Sequence, residues 1–203
     1  MQTVLFDGQP ISPSKVVCIG RNYVEHIAEL NNEVPTEPVI FVKPNSAIST
    51  EIKTHAVDAI HYEAEISFLM DNNQFVGVGI GLDLTKREVQ SVLKSKSLPW
   101  ERAKAFDASA VFSEFVSFEQ PVDSLSLVLF INDQVIQQAN YQLMIYKPAE
   151  IVTAVNEFMS FEKHDILMTG TPKGVGKINQ GDKFTGQIFS QDTLLVSQSW
   201  TVL

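Results

Sequence analysis

The chain has 203 residues, of which 44% are hydrophobic, and these figures suit one folded domain with a sizeable buried core. The formal net charge of −9 argues against nucleic acid or an anionic membrane as a partner, since both attract clustered Lys and Arg. With Cys18 as the one cysteine no intrachain disulfide can form. No signal peptide or membrane-spanning apolar stretch is apparent, so we expect a cytoplasmic location.

The hydropathy pattern predicts a β-rich chain with two or three helices, more α+β than doubly wound. Asp7-Gly8 and Asn132-Asp133 are typical of hairpin turns. We expect a single domain over residues 1–203, in which residues 1–14 form a short N-terminal strand appendage. Strands are predicted at residues 2–6, 15–19, 39–42, 61–68, 75–82, 110–116, 125–131, 134–138, 165–168, 184–188 and 194–202.

Three segments carry helix signals. The first begins at the N-cap residue Asn22 and is expected to stop at residues 31–32. The second, over residues 85–96, opens on the capping-box pattern Thr-x-x-Glu. The third, over residues 148–161, has a proline in its first turn, where the missing N–H does no harm.

Two carboxylates share one face of the predicted strand 61–68. Glu63 and Glu65 are two residues apart, and strand side chains alternate between faces. A third carboxylate, Asp83, follows the next strand. Three carboxylates without a nearby His or Cys describe a site for a hard divalent cation, and Mg²⁺ or Mn²⁺ fits them better than Zn²⁺. The same pattern also fits a solvated strand face followed by an unrelated Asp at a helix start.

Two further groups could take part in chemistry. His26 and Glu29 would be neighbours on a helix, where the carboxylate could orient the imidazole as a general base. Lys104 lies between Trp100 and Phe106 and could direct its ammonium into a pocket. The ordinary alternatives are a polar helix face for the pair and a solvated charge for the lysine.

The strand 75–82 carries Gly77, Gly79 and Gly81 on one face, which predicts a closely packed neighbour there. Their G-x-G-x-G spacing does not match the dinucleotide-binding fingerprint.

Six short motifs follow one another along the chain, and in this order they resemble the fumarylacetoacetate hydrolase superfamily. The resemblance covers residues 15 to about 186, and within the superfamily it is to the short, single-domain acylpyruvases. The motifs are Gly20-Arg21-Asn22-Tyr23-x-x-His26-x-x-Glu29, Phe41-Val42-Lys43-Pro44, Glu63-x-Glu65, Asp83-x-Thr85-x-Arg87, Lys104-x-Phe106-Asp107 and Thr169-Gly170-Thr171-Pro172-Lys173-Gly174-Val175-Gly176.

The resemblance implies a mixed β-roll or β-sandwich core, a homodimer and a site for Mg²⁺ or Mn²⁺. It also implies a role for each residue that matches a functional position of the superfamily. The implied metal ligands are Glu63, Glu65 and Asp83, the implied catalytic residues are His26, Glu29 and Lys104, and the implied substrate-binding residues are Arg21, Arg87, Gln90 and Thr171.

The implied reaction is hydrolysis of a C–C bond in a 2,4-dioxo acid, an acylpyruvate, to pyruvate and a carboxylic acid. Tautomerisation or decarboxylation of oxaloacetate, or isomerisation of a 2-hydroxy-diene-dioate, would use the same metal site and are the alternatives within enzymes. A catalytically silent ligand-binding relative is another alternative, although the presence of every expected metal and dyad residue argues against it. The expected partner is a small oxo acid, with no nucleic acid and no membrane.

Overall fold

A computed structural model describes residues 1–30 and 33–203. The predicted end of the first helix, at residues 31–32, lies outside the described residues. The strands are β1 Val4–Phe6, β2 Gln9–Ile11, β3 Lys15–Gly20, β4 Val39–Pro44, β5 Ile48–Ser49, β6 Ile60–Tyr62, β7 Ala64–Asp71, β8 Gln74–Asp83, β9 Thr85–Lys86, β10 Ala110–Phe112, β11 Leu125–Ile131, β12 Gln134–Asn140, β13 Ile166–Met168, β14 Gly176–Lys177, β15 Lys183–Ser190 and β16 Thr193–Thr201. The helices are α1 Val24–Glu29, α2 Arg87–Ser95, α3 Glu101–Lys104 and α4 Pro148–Asn156.

The largest sheet has seven strands in the order β4-β3-β13-β7-β8-β10-β5. It is mixed, because β3 and β13 pair in parallel, as do β5 and β10, while the other neighbours are antiparallel. A four-stranded antiparallel sheet has the order β12-β11-β15-β16, and β14-β6-β9 form a small third sheet. The expected β-rich α+β class with a few short helices is confirmed.

The two faces of β7 contribute to two different apolar clusters. Ile66 and Phe68 belong to the larger core, which also takes in Phe184 of the four-stranded sheet. Leu69 points to the opposite face and joins the smaller cluster. Burying each of these side chains contributes roughly 1.5–3 kcal/mol, which fixes the register of the strand. Glu65 therefore has to lie on the face of the smaller cluster, away from the larger core.

The glycine face of β8 is closely packed, as predicted. A Cβ atom on Gly79 would lie 2.9 Å from Cδ1 of Phe115, and one on Gly77 would lie 3.0 Å from Cε2 of Phe6. The aromatic rings occupy the space that side chains would otherwise take. The absence of side chains lets the N-terminal hairpin and the segment after β10 pack on this face.

The Asp7-Gly8 turn joins β1 to β2, as predicted, with both residues at positive φ. The hairpin is bound to the rest of the chain through backbone hydrogen bonds. The Asp7 amide donates to the carbonyl of Phe115 at 3.0 Å, and the Phe115 amide donates to the carbonyl of Leu5 at 2.8 Å.

The capping box predicted at residues 85–88 is wrong. Thr85 lies in β9 and pairs with β6, and α2 begins only at Arg87, with Lys86 at the N-cap and no side-chain cap. The Thr85 hydroxyl instead accepts a hydrogen bond from Lys104 Nζ at 2.7 Å. The pairing of β9 with β6 and the hydrogen bond from Lys104 therefore outweigh the local preference of Thr85 for a helix N-cap.

Asn22 is not the N-cap of α1, a position that Tyr23 occupies. Its side-chain amide is buried and donates to the carbonyls of Thr169 at 2.8 Å and Tyr146 at 2.9 Å. Because these long-range acceptors satisfy the amide, Asn22 joins the start of α1 to the loop that follows β13.

The third helix, α4, begins at Pro148 as predicted but ends at Asn156, five residues before the expected position. Phe158, which lies within the predicted helix but after its observed end, is 61% exposed. The segment after Asn156 therefore leaves this apolar side chain at the surface.

Candidate active site

The structure brings Glu63, Glu65 and Asp83 together. Glu63 lies in the break between β6 and β7, Glu65 is on β7, and Asp83 ends β8. The antiparallel register of β7 and β8 places Asp83 beside Glu63, whose carbonyl accepts the Asp83 amide at 2.8 Å. One oxygen from each of the three carboxylates lies within 4.8 Å of the others. All three side chains are buried, which excludes the alternative of a solvated strand face.

Lys104 lies within this acidic group. Its ammonium is 2.8 Å from Glu63 Oε2 and 2.6 Å from Asp83 Oδ2, and the residue is 3% exposed. Burial disfavours the charged form, but the carboxylates of Asp83 and Glu63 outweigh it and raise the pKa of Lys104. The lysine is therefore a fixed positive charge inside the site, and the alternative of a solvated lysine is wrong.

A second buried lysine, Lys43, was not assigned a role from the sequence, where it follows the predicted strand 39–42. It lies in β4 with its Nζ 2.8 Å from Asp83 Oδ1 and donates to the carbonyl of Ser109 at 2.9 Å. It also donates to the carbonyl of Lys104. The available signal was its position two residues after Phe41 on the same face of an apolar strand, where a solvated lysine is unexpected.

The arginine and glutamine of α2 lie beside the acidic group, while their contact with a substrate stays a prediction. Arg87 Nη2 donates to Glu63 Oε1, and Arg87 Nη1 donates to Gln90 Oε1 at 2.8 Å. Burial opposes ionisation of Glu63, but the charges of Lys104 and Arg87 prevail and hold its pKa well below the usual range. Glu63 is therefore a carboxylate with both oxygens engaged by cations.

Glu65 has a different environment. Within the described part of the chain it has no ion-pair partner, and its Oε2 accepts one hydrogen bond, from the Gly170 amide at 2.6 Å. Burial raises its pKa strongly, and the neighbouring Asp83 and Glu63 raise it further. A buried carboxylate without a counter-charge, next to two others, is what a divalent cation would neutralise. The donor set of carboxylate oxygens fits Mg²⁺ or Mn²⁺.

The predicted pair on α1 is formed. His26 Nδ1 lies 3.2 Å from Glu29 Oε2, and the histidine is buried. The other oxygen of Glu29 accepts a hydrogen bond from the Gly174 amide at 3.0 Å, which links α1 to the loop after β13. Glu29 therefore fixes the imidazole ring and at the same time holds the helix against the site.

A small cavity of about 30 Å³ lies between α1 and the acidic group. Such a volume admits a water-sized group, so a substrate can enter only after α1 or neighbouring side chains move. The lining includes most of the predicted site residues together with Lys94 and Trp100, which were not predicted. The lining residues are Gly20, Arg21, His26, Leu30, Phe41, Glu63, Arg87, Gln90, Lys94, Trp100 and Lys104.

Thr171 is engaged in bonds that support the acidic strand. Its hydroxyl donates to the carbonyl of Ala64 at 2.9 Å and accepts from Gln137 Nε2 at 2.9 Å. Gln137 in turn accepts the Ala64 amide at 3.0 Å. This network fixes the backbone between Glu63 and Glu65, whereas a contact of Thr171 with substrate stays a prediction.

No helix of the described residues is long and apolar enough to cross a membrane.

Comparisons with known proteins give a consistent result. The family model described as fumarylacetoacetate hydrolase C-terminal matches residues 15–196. Oxaloacetate tautomerase YcgM of Escherichia coli K12 is 35% identical over 85% of this chain and 87% of its own length. The human mitochondrial oxaloacetate tautomerase FAHD1 is 35% identical over 92% of this chain and 90% of its own length. The crystal structure of Pseudomonas aeruginosa fumarylpyruvate hydrolase in complex with Mn²⁺ and pyruvate superposes with a TM-score of 0.90 at 26% identity, covering 100% of this chain and 95% of that one.

Proposed function

Because the chain belongs to the fumarylacetoacetate hydrolase family, we propose that it catalyses the keto–enol tautomerisation of oxaloacetate with the help of a divalent metal ion. Tautomerisation was an alternative in the sequence analysis, where acylpyruvate hydrolysis was the first expectation. Relatives of 33–36% identity that are oxaloacetate tautomerases favour the alternative. The observation that carries the proposal is the buried carboxylate group, in which Glu65 has no ion pair with any described residue, directly beside a cavity lined by cations.

Glu63, Glu65 and Asp83 would hold Mg²⁺ or Mn²⁺. When bound, such an ion supplies Lewis-acid stabilisation of negative charge on the substrate oxygens, an effect typically worth several kcal/mol.

The protein's own residues would transfer the proton. In the tautomerisation a proton leaves carbon 3 of oxaloacetate and a proton is added to the oxygen on carbon 2, so that no atom is gained or lost. His26 lines the cavity and is oriented by Glu29, which suits it to remove and return the proton at carbon 3. Lys104 contributes a fixed positive charge beside the developing anion, and Arg87 and Gln90 orient the substrate.

Hydrolysis of an acylpyruvate is the second candidate. The observation in its favour is the same dyad, since an imidazole held by a carboxylate can also activate water. Hydroxide from that water would add to the distal carbonyl carbon, and the bond from that carbon to carbon 3 would break. Protonation of carbon 3 then gives pyruvate, and the remaining acyl group leaves as a carboxylic acid. Oxaloacetate decarboxylation and 2-hydroxy-diene-dioate isomerisation remain alternatives at the same site.

A turnover screen tests the proposal. Purified protein is supplied with oxaloacetate, acetylpyruvate or fumarylpyruvate, with and without Mg²⁺, while the enol absorbance and pyruvate formation are both recorded. We expect the oxaloacetate enol signal to decay faster with protein and Mg²⁺ than in the same buffer without protein, and no pyruvate to form beyond that control. Pyruvate from acetylpyruvate with no acceleration of the oxaloacetate signal would instead support the hydrolase.

A catalytically silent, ligand-binding protein would give a different experimental result. Oxalate mimics the enolate of pyruvate, so calorimetry that detects Mg²⁺-dependent oxalate binding without turnover of any of the three acids would favour a ligand-binding role. The homodimer is likewise a proposal, based on the resemblance, and sedimentation equilibrium would test it.

A further inference from the structure

One loop contacts both the acidic group and the helix α1. It consists of residues 169–174, which follow β13, and we call it the bridging loop. Its Gly170 amide donates to Glu65 Oε2 at 2.6 Å, and its Gly174 amide donates to Glu29 Oε1 at 3.0 Å. The bridging loop therefore sets the position of a predicted metal ligand and also of the carboxylate that orients the imidazole.

The two glycines of the bridging loop have little freedom to move. Both lie at positive φ, 90° for Gly170 and 97° for Gly174, a conformation that glycine adopts more readily than other residues. A Cβ atom on Gly170 would lie 2.8 Å from Cβ of Asn22, and one on Gly174 would clash with the carbonyl oxygen of Ile136. This close packing against Asn22 and β12 fixes the direction of both amides.

A buried amide on β12 holds the centre of the bridging loop. Gln137 is 1% exposed, and its Nε2 donates to Thr171 Oγ1 at 2.9 Å and to the carbonyl of Pro172 at 3.0 Å. Its Oε1 accepts the backbone amide of Ala64, the first residue of β7, at 3.0 Å. One side chain thus joins the bridging loop to the acidic strand.

This connection crosses from one sheet to another. The strand β12 is an edge of the four-stranded sheet, whereas Glu65 and Asp83 belong to the seven-stranded sheet. Gln137 is not among the described residues that line the cavity beside Glu63. It can therefore act on the chemistry only through the groups that it holds in place.

We propose that Gln137 is a positioning residue that holds Glu65 and Glu29 in place through the bridging loop, and that the Mg²⁺ affinity of the site depends on it. The metal part of this inference rests on the proposed function. Without the side-chain amide, the Ala64 N–H and the Pro172 carbonyl would be buried without a partner, which is unfavourable. The loop and the strand would separate to admit water, and the two glycine amides would leave their carboxylates.

The test compares Gln137→Met with Gln138→Met. Methionine keeps an unbranched side chain of similar length but lacks the amide, and Gln138 is the next residue of β12 and is exposed, which makes it the matched control. Mg²⁺ alone is titrated into each protein by calorimetry. NMR follows the resonances and the hydrogen exchange of the Gly170 and Gly174 amides, and urea denaturation measures stability separately.

We expect Gln137→Met to weaken Mg²⁺ binding about 10- to 100-fold, the usual effect of losing a group that orients a metal ligand. Both glycine resonances should shift, and both amides should exchange with solvent at least about tenfold faster, because they lose their carboxylate acceptors. Gln138→Met should change each of these quantities less than about twofold, as a surface substitution does.

A second pair of variants cuts the same connection from the side of the loop. Thr171→Val removes the hydroxyl that accepts from Gln137 and donates to the carbonyl of Ala64, whereas Thr171→Ser keeps it. Thr171→Val should repeat the effects of Gln137→Met, and Thr171→Ser should restore the Mg²⁺ affinity and the glycine resonances. This pair decides the question even where Gln137→Met does not fold.

Either of two results would overturn the inference: wild-type Mg²⁺ affinity in folded Gln137→Met or Thr171→Val, or glycine amides that stay unchanged although stability falls. Failure of the proposed function looks different. Gln137-dependent Mg²⁺ binding without accelerated tautomerisation of oxaloacetate would remove the reaction and leave the positioning role in place. If the wild-type protein binds no Mg²⁺, the proposed metal dependence fails, and the glycine amides alone decide the inference.

Discussion

Lys43 Nζ lies 2.8 Å from Asp83 Oδ1, although both side chains are buried and 40 positions separate them in the chain. The lysine crosses from β4 to the end of β8 and also binds the backbone of the loop before β10. Asp83 is therefore held from one side by Lys43 and from the other by Lys104. The position of the third acidic residue depends on both contacts.

The first prediction concerns this pair. Lys43→Met should lower the free energy of unfolding by about 3–5 kcal/mol, because it leaves the Asp83 carboxylate buried with one counter-charge fewer. Urea denaturation followed by circular dichroism measures the change. Lys53→Met is the control, since Lys53 forms an exposed ion pair with Glu51 and should change stability by less than about 0.5 kcal/mol. Equal stability of the two variants would show that the buried pair does not stabilise the site.

The second prediction concerns metal binding by Glu65. At a Mg²⁺ concentration 100 times its dissociation constant, the wild-type free energy of unfolding should rise by about 2.7 kcal/mol, and Glu65→Gln should abolish that rise. Thermal denaturation with and without Mg²⁺ makes the comparison, with the exposed Glu51→Gln as control. An unchanged Mg²⁺ effect in Glu65→Gln would exclude Glu65 as a ligand.

The same variant has a pH signature in the absence of metal. Burial raises the pKa of Glu65 above its ordinary value of 4.5, so the folded state holds this proton more tightly than the unfolded state. Its contribution to stability is therefore complete below pH 4.5 and is lost as the pH rises toward the folded-state pKa. Glu65→Gln should remove this component, and the stability of the variant at neutral pH should equal or exceed that of the wild type. A variant that is less stable than the wild type at neutral pH would argue against the unfavourable burial of the charge.

The third prediction concerns His26. His26→Ala should reduce the tautomerisation rate constant by about 10²- to 10⁴-fold, the usual effect of losing a general acid–base group, without weakening Mg²⁺-dependent oxalate binding. Enol absorbance and calorimetry provide the two measurements. Glu25→Ala is the control on the same helix, because Glu25 is exposed and pairs with Lys173 at the surface. Full activity in His26→Ala would show that another group moves the proton.

The fourth prediction is a pH dependence from Lys94. Lys94 lines the cavity, where its ammonium would attract an anionic substrate. The ammonium is present below its pKa of about 8 and is lost as the pH rises through that value, so kcat/KM for oxaloacetate should fall across this range. Lys94→Met should lack this alkaline limb. Among the described residues, the charged groups that act on Lys94 include Arg21, Arg87, Lys104 and Glu63.

Unfolding does not account for such a fall. Because the folded-state pKa of Lys94 lies below its ordinary value of 10.5, the unfolded state binds more protons between about 8 and 10.5. The contribution of Lys94 to stability therefore increases with pH over that window. An alkaline limb that persists in Lys94→Met would assign it to another residue.

Local sequence patterns determined most of the strands and the spacing of the chemically active residues. Alternation placed Glu63 and Glu65 on one strand face, and helical spacing placed His26 beside Glu29, because both relations depend only on backbone periodicity. The glycine series of β8 likewise predicted a close neighbour, although not that Phe6 and Phe115 would provide it.

Only the tertiary structure decided which of these groups are buried and what neutralises them. Thr85 and Asn22 carried strong helix-capping signals, yet neither side chain caps its helix. Thr85 accepts a hydrogen bond from Lys104, and Asn22 donates to the distant carbonyls of Tyr146 and Thr169. Lys43 received no role from the sequence for the same reason, since its partner Asp83 ends β8, which three strands separate from β4 in the sheet, and only the tertiary structure brings the two side chains together. A capping or charge signal describes what a side chain can do locally, whereas burial removes water as a competitor and gives the bond to whichever partner the fold brings within reach.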